Sequence, residues 1–189
     1  MKIIYLVISL SLLGVSCKTS KEFSQEAEDQ RISSIDFPKD WSGKWRGSLK
    51  VYSGLGLQYT IKMEVHLLPQ EDSKNYDYTI IYDSPERFDK RLYELVVVDP
   101  SQGLFLVDEK NSILIESYFI GGKWFQRFEV AENMLNCSLE QVGDQLIWEI
   151  TSGKTPPISV TGDTSLEDIL EVKTYPVGVY QRAVLSKYQ

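Results

Sequence analysis

A chain of 189 residues with 42% hydrophobic and 25% charged side chains is sized for one globular domain once a leader is set aside. Its net charge of −7, or −8 when Lys2 leaves with the leader, excludes a nucleic-acid partner, because phosphate calls for a basic surface. One histidine and two cysteines exclude a zinc cluster of the usual Cys/His kind, and no metal or other cofactor is expected.

Met1-Lys2 is a basic start and Ile3 to Val15 an apolar run. That run is shorter than the ~20 residues a membrane-spanning helix needs, so residues 1–16 read as a secretion signal. The end of the run, Leu13-Gly14-Val15-Ser16-Cys17, resembles the lipobox of bacterial lipoproteins. The resemblance implies that Cys17 is diacylated on its sulfur and becomes the mature N-terminus. Two acyl chains hold a protein stably on a membrane where one does not. Lys18 stands where those families place aspartate for inner-membrane retention. The implied address is therefore the outer membrane, facing the periplasm, with surface display left open. An ordinary cleaved signal with an unmodified cysteine is the other reading.

Residues 17–39 read as a lipidated flexible tether. Lys18 to Lys39 is polar and aperiodic and buries too little apolar area to offset its ordering entropy. A short helix around Glu22 to Arg31 is the one element it suggests. Residues 40–189 read as the folded domain.

That domain opens on Trp41 to Tyr52, which alternates strictly and reads as a strand. Trp41, Gly43, Trp45, Gly47, Leu49 and Val51 share one face. Lys44, Arg46, Ser48, Lys50 and Tyr52 share the other, a basic stripe that reads as solvated. Gln58 to Leu67 is the clearest period-two run, and Tyr76 to Tyr82 follows. Leu92 to Val98 is a fourth strand, whose Val96-Val97-Val98 run predicts burial on both faces. Leu104 to Val107 and Ser112 to Ile120 form a hairpin. Lys123 to Ala131 follows Gly121-Gly122. Leu135 to Val142 and Gln145 to Thr151 flank the tight-turn signal Gly143-Asp144. Gly153 to Ser165 is the longest loop, Leu166 to Lys173 is a helical turn or a short strand, and Val177 to Lys187 is the last strand. With eleven tyrosines, seven phenylalanines and four tryptophans, the chain predicts an all-β fold. About 8–10 strands in hairpin order predict an antiparallel up-and-down β-barrel, the simplest way to remove two open edges.

Gly43-Lys44-Trp45 matches the Gly-x-Trp that opens the first strand of lipocalin-like (calycin) barrels, and the domain resembles that family over Trp41 to Gln189. The resemblance implies an arginine of a terminal strand packed over the tryptophan, with Arg182 as the candidate. It also implies a barrel that holds a small apolar or amphipathic ligand. The long lid or helical pair that follows the first strand in those families is replaced here by Ser53 to Gly56.

The side chains expected to line a pocket are Trp45, Tyr59, Met63 and tyrosines of later strands, with Tyr180 and Arg182 added if their shared face points inward. There the guanidinium would receive an anionic head group. The alternative is that Arg182 caps the barrel over Trp45 through cation–π stacking. His66 groups with Glu64 and Lys62 on a polar face and reads as solvated. Glu64, Asp77, Glu94 and Glu116 read as surface charge, with paired carboxylates as the alternative. Cys137 shares a face with Leu135 and Leu139 and reads as a buried inert thiol without a disulfide. No catalytic set is recognisable. A ligand-binding lipoprotein is the first expectation, a structural or interaction lipoprotein of the envelope with a filled core the second, and an enzyme the last.

Overall fold

Alternation in the sequence becomes alternation of burial in the wall of a barrel. The computed structural model describes residues 26–27, 30–32, 34–162 and 170–188. The chain divides into two units, Met1–Ser34 and Ile35–Gln189. In the first, Glu26, Ala27 and Gln30 to Ile32 are helical. That stretch ends at Ser34, whose hydroxyl donates to the Arg31 carbonyl at 2.8 Å. Cys17 lies outside the described residues.

In the second unit the strands are β1 (Gly43–Ser53), β2 (Gly56–Pro69), β3 (Tyr76–Asp83), β4 (Phe88–Asp99), β5 (Leu104–Asp108), β6 (Leu114–Ile120), β7 (Lys123–Val130), β8 (Asn133–Val142), β9 (Gln145–Lys154), β10 (Ser159–Thr161), β11 (Val172–Thr174) and β12 (Val179–Tyr188). Nine of them, β1 to β9, pair in chain order. β12 then enters between β9 and β1 and closes a ten-stranded antiparallel barrel. The closing ladder runs from Lys44↔Tyr188 to Tyr52↔Tyr180. β10 and β11 form a separate two-stranded ribbon. Residues 166–169 of the ambiguous Leu166 to Lys173 segment lie outside the described set, and its end enters β11.

One end of the barrel is filled. Trp45, Met63, Val65, Phe105, Trp124, Leu139 and Leu185 point inward and are buried. Into this end the chain before β1 inserts Phe37 and Trp41. The Phe37 ring stacks on Phe119 at 4.7 Å and meets Phe105 and Trp41 edge-on, both at 4.9 Å. Burying each such aromatic side chain contributes on the order of 2 kcal/mol. The packed unit therefore starts at Ile35, and the last residues of the segment read as tether belong to the core. Trp41, read as strand, sits instead in a single turn of 3₁₀-helix, Lys39–Trp41. The Asp40 amide donates to the Asp36 carbonyl at 2.9 Å, and the Asp40 carboxylate accepts from the Asp36 amide at 2.8 Å. That double closure turns the chain over the barrel end, so Trp41 enters from the end and not from the wall.

Gly47 is required by close approach. A Cβ there would lie 2.1 Å from the Val184 carbonyl oxygen of β12. The Val96 to Val98 expectation fails at its last residue: Val97 is buried, but Val98 is exposed. The β4–β5 register shifts between Val97 and Asp99, so Val98 is the extra residue of a bulge and turns outward.

Candidate functional site

The opposite end of the barrel is hollow. It is bounded by the β3–β4 turn, Ser84 to Arg87, and by the ends of β5, β6 and β7. A ten-stranded barrel is wider than the eight-stranded kind whose side chains fill it, and here the surplus width is left open. Two adjoining chambers have volumes of about 780 Å³ and about 740 Å³. Each falls within the roughly 300–1,000 Å³ of ordinary small-molecule sites. They share Tyr82, Arg91, Leu135 and Ile150 on their walls. Leu49, Val51 and Ile61 line the first chamber, with Gln181 and the rim residue Tyr59. Tyr78, Ile80, Tyr93, Cys137 and Trp148 line the second.

A charged pair stands at the mouth of this cavity, where the Arg91 side chain is 47% exposed. β4 carries Asp89, Arg91 and Tyr93 in phase with buried Leu95 and Val97, so all three face inward. Asp89 Oδ2 accepts from Arg91 Nε at 3.2 Å and from Arg91 Nη2 at 3.1 Å. Arg87, on the rim, donates to the same oxygen at 3.3 Å. The Arg91 guanidinium also lies over the Tyr82 ring, 5.1 Å from its centre. Burial pulls the Arg91 pKa down, but Tyr82, Tyr93 and Asp89 outweigh it, and the net shift is upward. The group stays charged. Asp89 takes two of its five N–H donors and Tyr93 hydrogen-bonds the same group, which leaves donors for a further acceptor. Burial raises the pKa of Tyr82 and Tyr93, so both keep their protons and offer O–H donors. Burial also pushes the Cys137 thiol up to about 12, which removes it as a nucleophile.

The structure separates the residues expected to line a pocket. Tyr59 does line the rim. Trp45 and Met63 are 1% exposed and lie in the filled end, below the cavity. Both face inward as their alternation predicts, but the period of a strand does not say how far along the barrel axis a residue lies. Tyr180 and Arg182 are on the outer face, opposite Tyr52 and Lys50. Their neighbours Ala183 and Leu185 take the inward positions. Arg182 Nε pairs with Glu149 Oε1 at 3.3 Å, and the Tyr180 hydroxyl donates to the same oxygen. Arg182 therefore neither receives a ligand in the barrel nor covers Trp45. Lys187 covers that ring. His66 is on the outer face but is not freely solvated. Its Nε2 lies 2.9 Å from both Glu64 Oε2 and Tyr188 Oη, and its side chain is 16% exposed. Glu94 is held by Lys110 at 2.5 Å and by Asn75 at 2.7 Å, outside the barrel. Among the described residues, no cluster of His, Cys, Asp and Glu could hold a metal ion.

The sequence pattern does not single out Asp89 and Arg91, because a run of charged residues, Asp89-Lys90-Arg91, masks the alternation there. Extending the phase of Leu95 and Val97 back by twos would have found both.

No protein-family model matches the chain, and no curated protein does. Among solved structures, the S-type phycobiliprotein lyase CPES from Guillardia theta is similar, with a TM-score of 0.59. The match covers 85% of this chain and 97% of that one, at 6% sequence identity. A likeness at that identity shows a shared calycin-like barrel and nothing about activity.

Proposed function

We propose that this protein is a lipid-anchored binding module of the cell envelope, whose barrel takes up a small amphipathic ligand. One observation carries the ligand: the barrel is packed at one end and hollow at the other, with apolar side chains inside and the Asp89–Arg91 pair at the mouth. The apolar body of the ligand lies against Leu49, Val51, Ile61 and Ile80, and its polar end reaches Arg91. A structural lipoprotein with a filled core would not leave this space. The anchor rests on the sequence of residues 13–17 and on the two-chain logic of stable membrane attachment. The outer-membrane address rests on Lys18. The similar barrel of a phycobiliprotein lyase supports the architecture and leaves the ligand's identity to experiment.

Native mass spectrometry of the full chain, extracted in detergent, tests the reading. A small molecule that co-purifies in stoichiometric amount supports it. Extracted protein that carries none, and takes up no fluorescent apolar probe, overturns it.

A further inference from the structure

β6 and β7 are joined along only part of their length. Their ladder runs from Ile120↔Lys123 to Ser117↔Gln126 and stops. Carried on, it would set Glu116 opposite Arg127 and Ile115 opposite Phe128. Neither pair forms, although both strands continue. β6 holds its pairing with β5 down to Leu114↔Asp108, and β7 holds its pairing with β8 out to Val130↔Asn133. The wall is thus intact on both sides of a slot.

The cavity runs into that slot. Its second chamber is lined by Ile115 and Phe128 from the inner face and by Glu116 and Arg127 from the outer face of the same strands. In a continuous sheet, outer-face residues are screened from an interior cavity by the wall itself, because successive side chains alternate sides. The backbone groups along the slot lack ladder partners, and such groups need water or a ligand to satisfy them. Charged side chains stand at both openings: Glu116, Arg127 and Glu129 on the outer face of the slot, and Glu86, Arg87 and Asp89 at the β3–β4 turn. An apolar body passing such charges would strip water from them, which is costly. Between Ile115 and Phe128, by contrast, the inner edge of the slot offers an apolar body two apolar side chains to pass against.

We infer that the slot between β6 and β7 is a lateral doorway through which the ligand enters and leaves the cavity. The inference rests on the ligand-binding reading above.

The test uses the full chain carrying Cys17→Ser, Glu116→Cys and Arg127→Cys, with N-phenylnaphthylamine as probe. The two new thiols are bridged by a bis-maleimide, while buried Cys137 stays unreactive. The same polypeptide before bridging is the reference, and a second pair, Leu114→Cys with Glu129→Cys, guards against a variant that misfolds. Bridging is expected to slow probe release by about tenfold or more and to leave equilibrium affinity nearly unchanged, because both rates pass through one door. Release that is unaffected by either bridge overturns the doorway and leaves the binding reading standing. An unbridged protein that takes up no probe overturns the binding reading, and the doorway with it.

Discussion

The Lys187 ammonium lies over the indole of Trp45, 5.2 Å from the ring centre. Its methylene chain reaches there across Gly43, where a Cβ would lie 2.4 Å from Lys187 Cε at a backbone φ of +140°. Underneath, Trp45 Nε1 donates to the Trp41 carbonyl at 3.0 Å. A glycine, a tryptophan and a cation thus close the filled end. The resemblance to lipocalin-like barrels implies this arrangement with an arginine, and here a lysine on the last strand supplies the charge.

Substitutions at this end should therefore act on stability and spare the cavity. Lys187→Ala is expected to cost about 0.5–1 kcal/mol, the range for a partly exposed cation–π contact. Gly47→Ala should cost more, on the order of 3 kcal/mol, because its methyl would meet a backbone oxygen that cannot move without breaking the β1–β12 ladder. Urea unfolding of both variants checks the order, and an equal or reversed cost contradicts it.

Charge in the cavity should select among ligands. Arg91→Leu is expected to abolish a preference for dansylated undecanoic acid over its methyl ester, a change of about tenfold in relative affinity for one lost charge-assisted contact. Asp89→Asn should sharpen the same preference, since it removes the carboxylate that competes for the guanidinium. Arg182→Met, on the outer face, should leave both affinities unchanged. Fluorescence titration of the pair of probes reads all three, and a dependence on Arg182 in place of Arg91 would contradict this placement.

Much of this architecture was legible in the sequence, and the reason is periodicity. Met63, Val65 and Leu67 alternate with Lys62, Glu64 and His66, and the wall reproduces that alternation. The turn signals at Ser53 to Gly56 and Gly143-Asp144 set the hairpins where they are found. Depth along the barrel was not legible. Trp45 and Leu49 share a face, yet one plugs the closed end and the other lines the cavity. Nor was the phase of β12 at its polar start, where Tyr180 and Arg182 look outward because Ala183 and Leu185 hold the interior. The insertion of Phe37 was hidden as well, since a lone aromatic in a polar stretch carries no period.

The outer-face cluster predicts an alkaline limit. Burial, followed by its hydrogen bond to Glu64, raises the Tyr188 hydroxyl from 10.0 to about 12. A group that holds its proton more tightly when folded contributes stability that is full below its unfolded pKa and is lost as pH rises through the folded one. Stability should therefore decline between pH 10 and about 12, and Tyr188→Phe should remove part of that decline. Tyr180, raised to about 12 by burial and by Glu149, accounts for a further part. Urea midpoints measured across this range test it, and a Tyr188→Phe profile identical to that of the parent would contradict it.

Membrane attachment should depend on one sulfur. Cys17→Ser is expected to move the protein from the detergent phase to the aqueous phase on Triton X-114 partition, because the acyl chains supply the anchoring. Incorporation of a labelled fatty acid should vanish in the same variant. Partition unchanged by the substitution would remove the lipid anchor from the account.

The central claim is that the hollow end of the barrel takes up a ligand. Its most direct test is titration of the delipidated full chain with N-phenylnaphthylamine, beside the variant Ile150→Trp, which places an indole where the two chambers meet. One probe bound per parent chain, with binding lost or strongly weakened in a variant whose unfolding midpoint is near the parent's, is the result this structure predicts. A parent that binds no probe, or a folded Ile150→Trp chain that binds it as well as the parent, would contradict it.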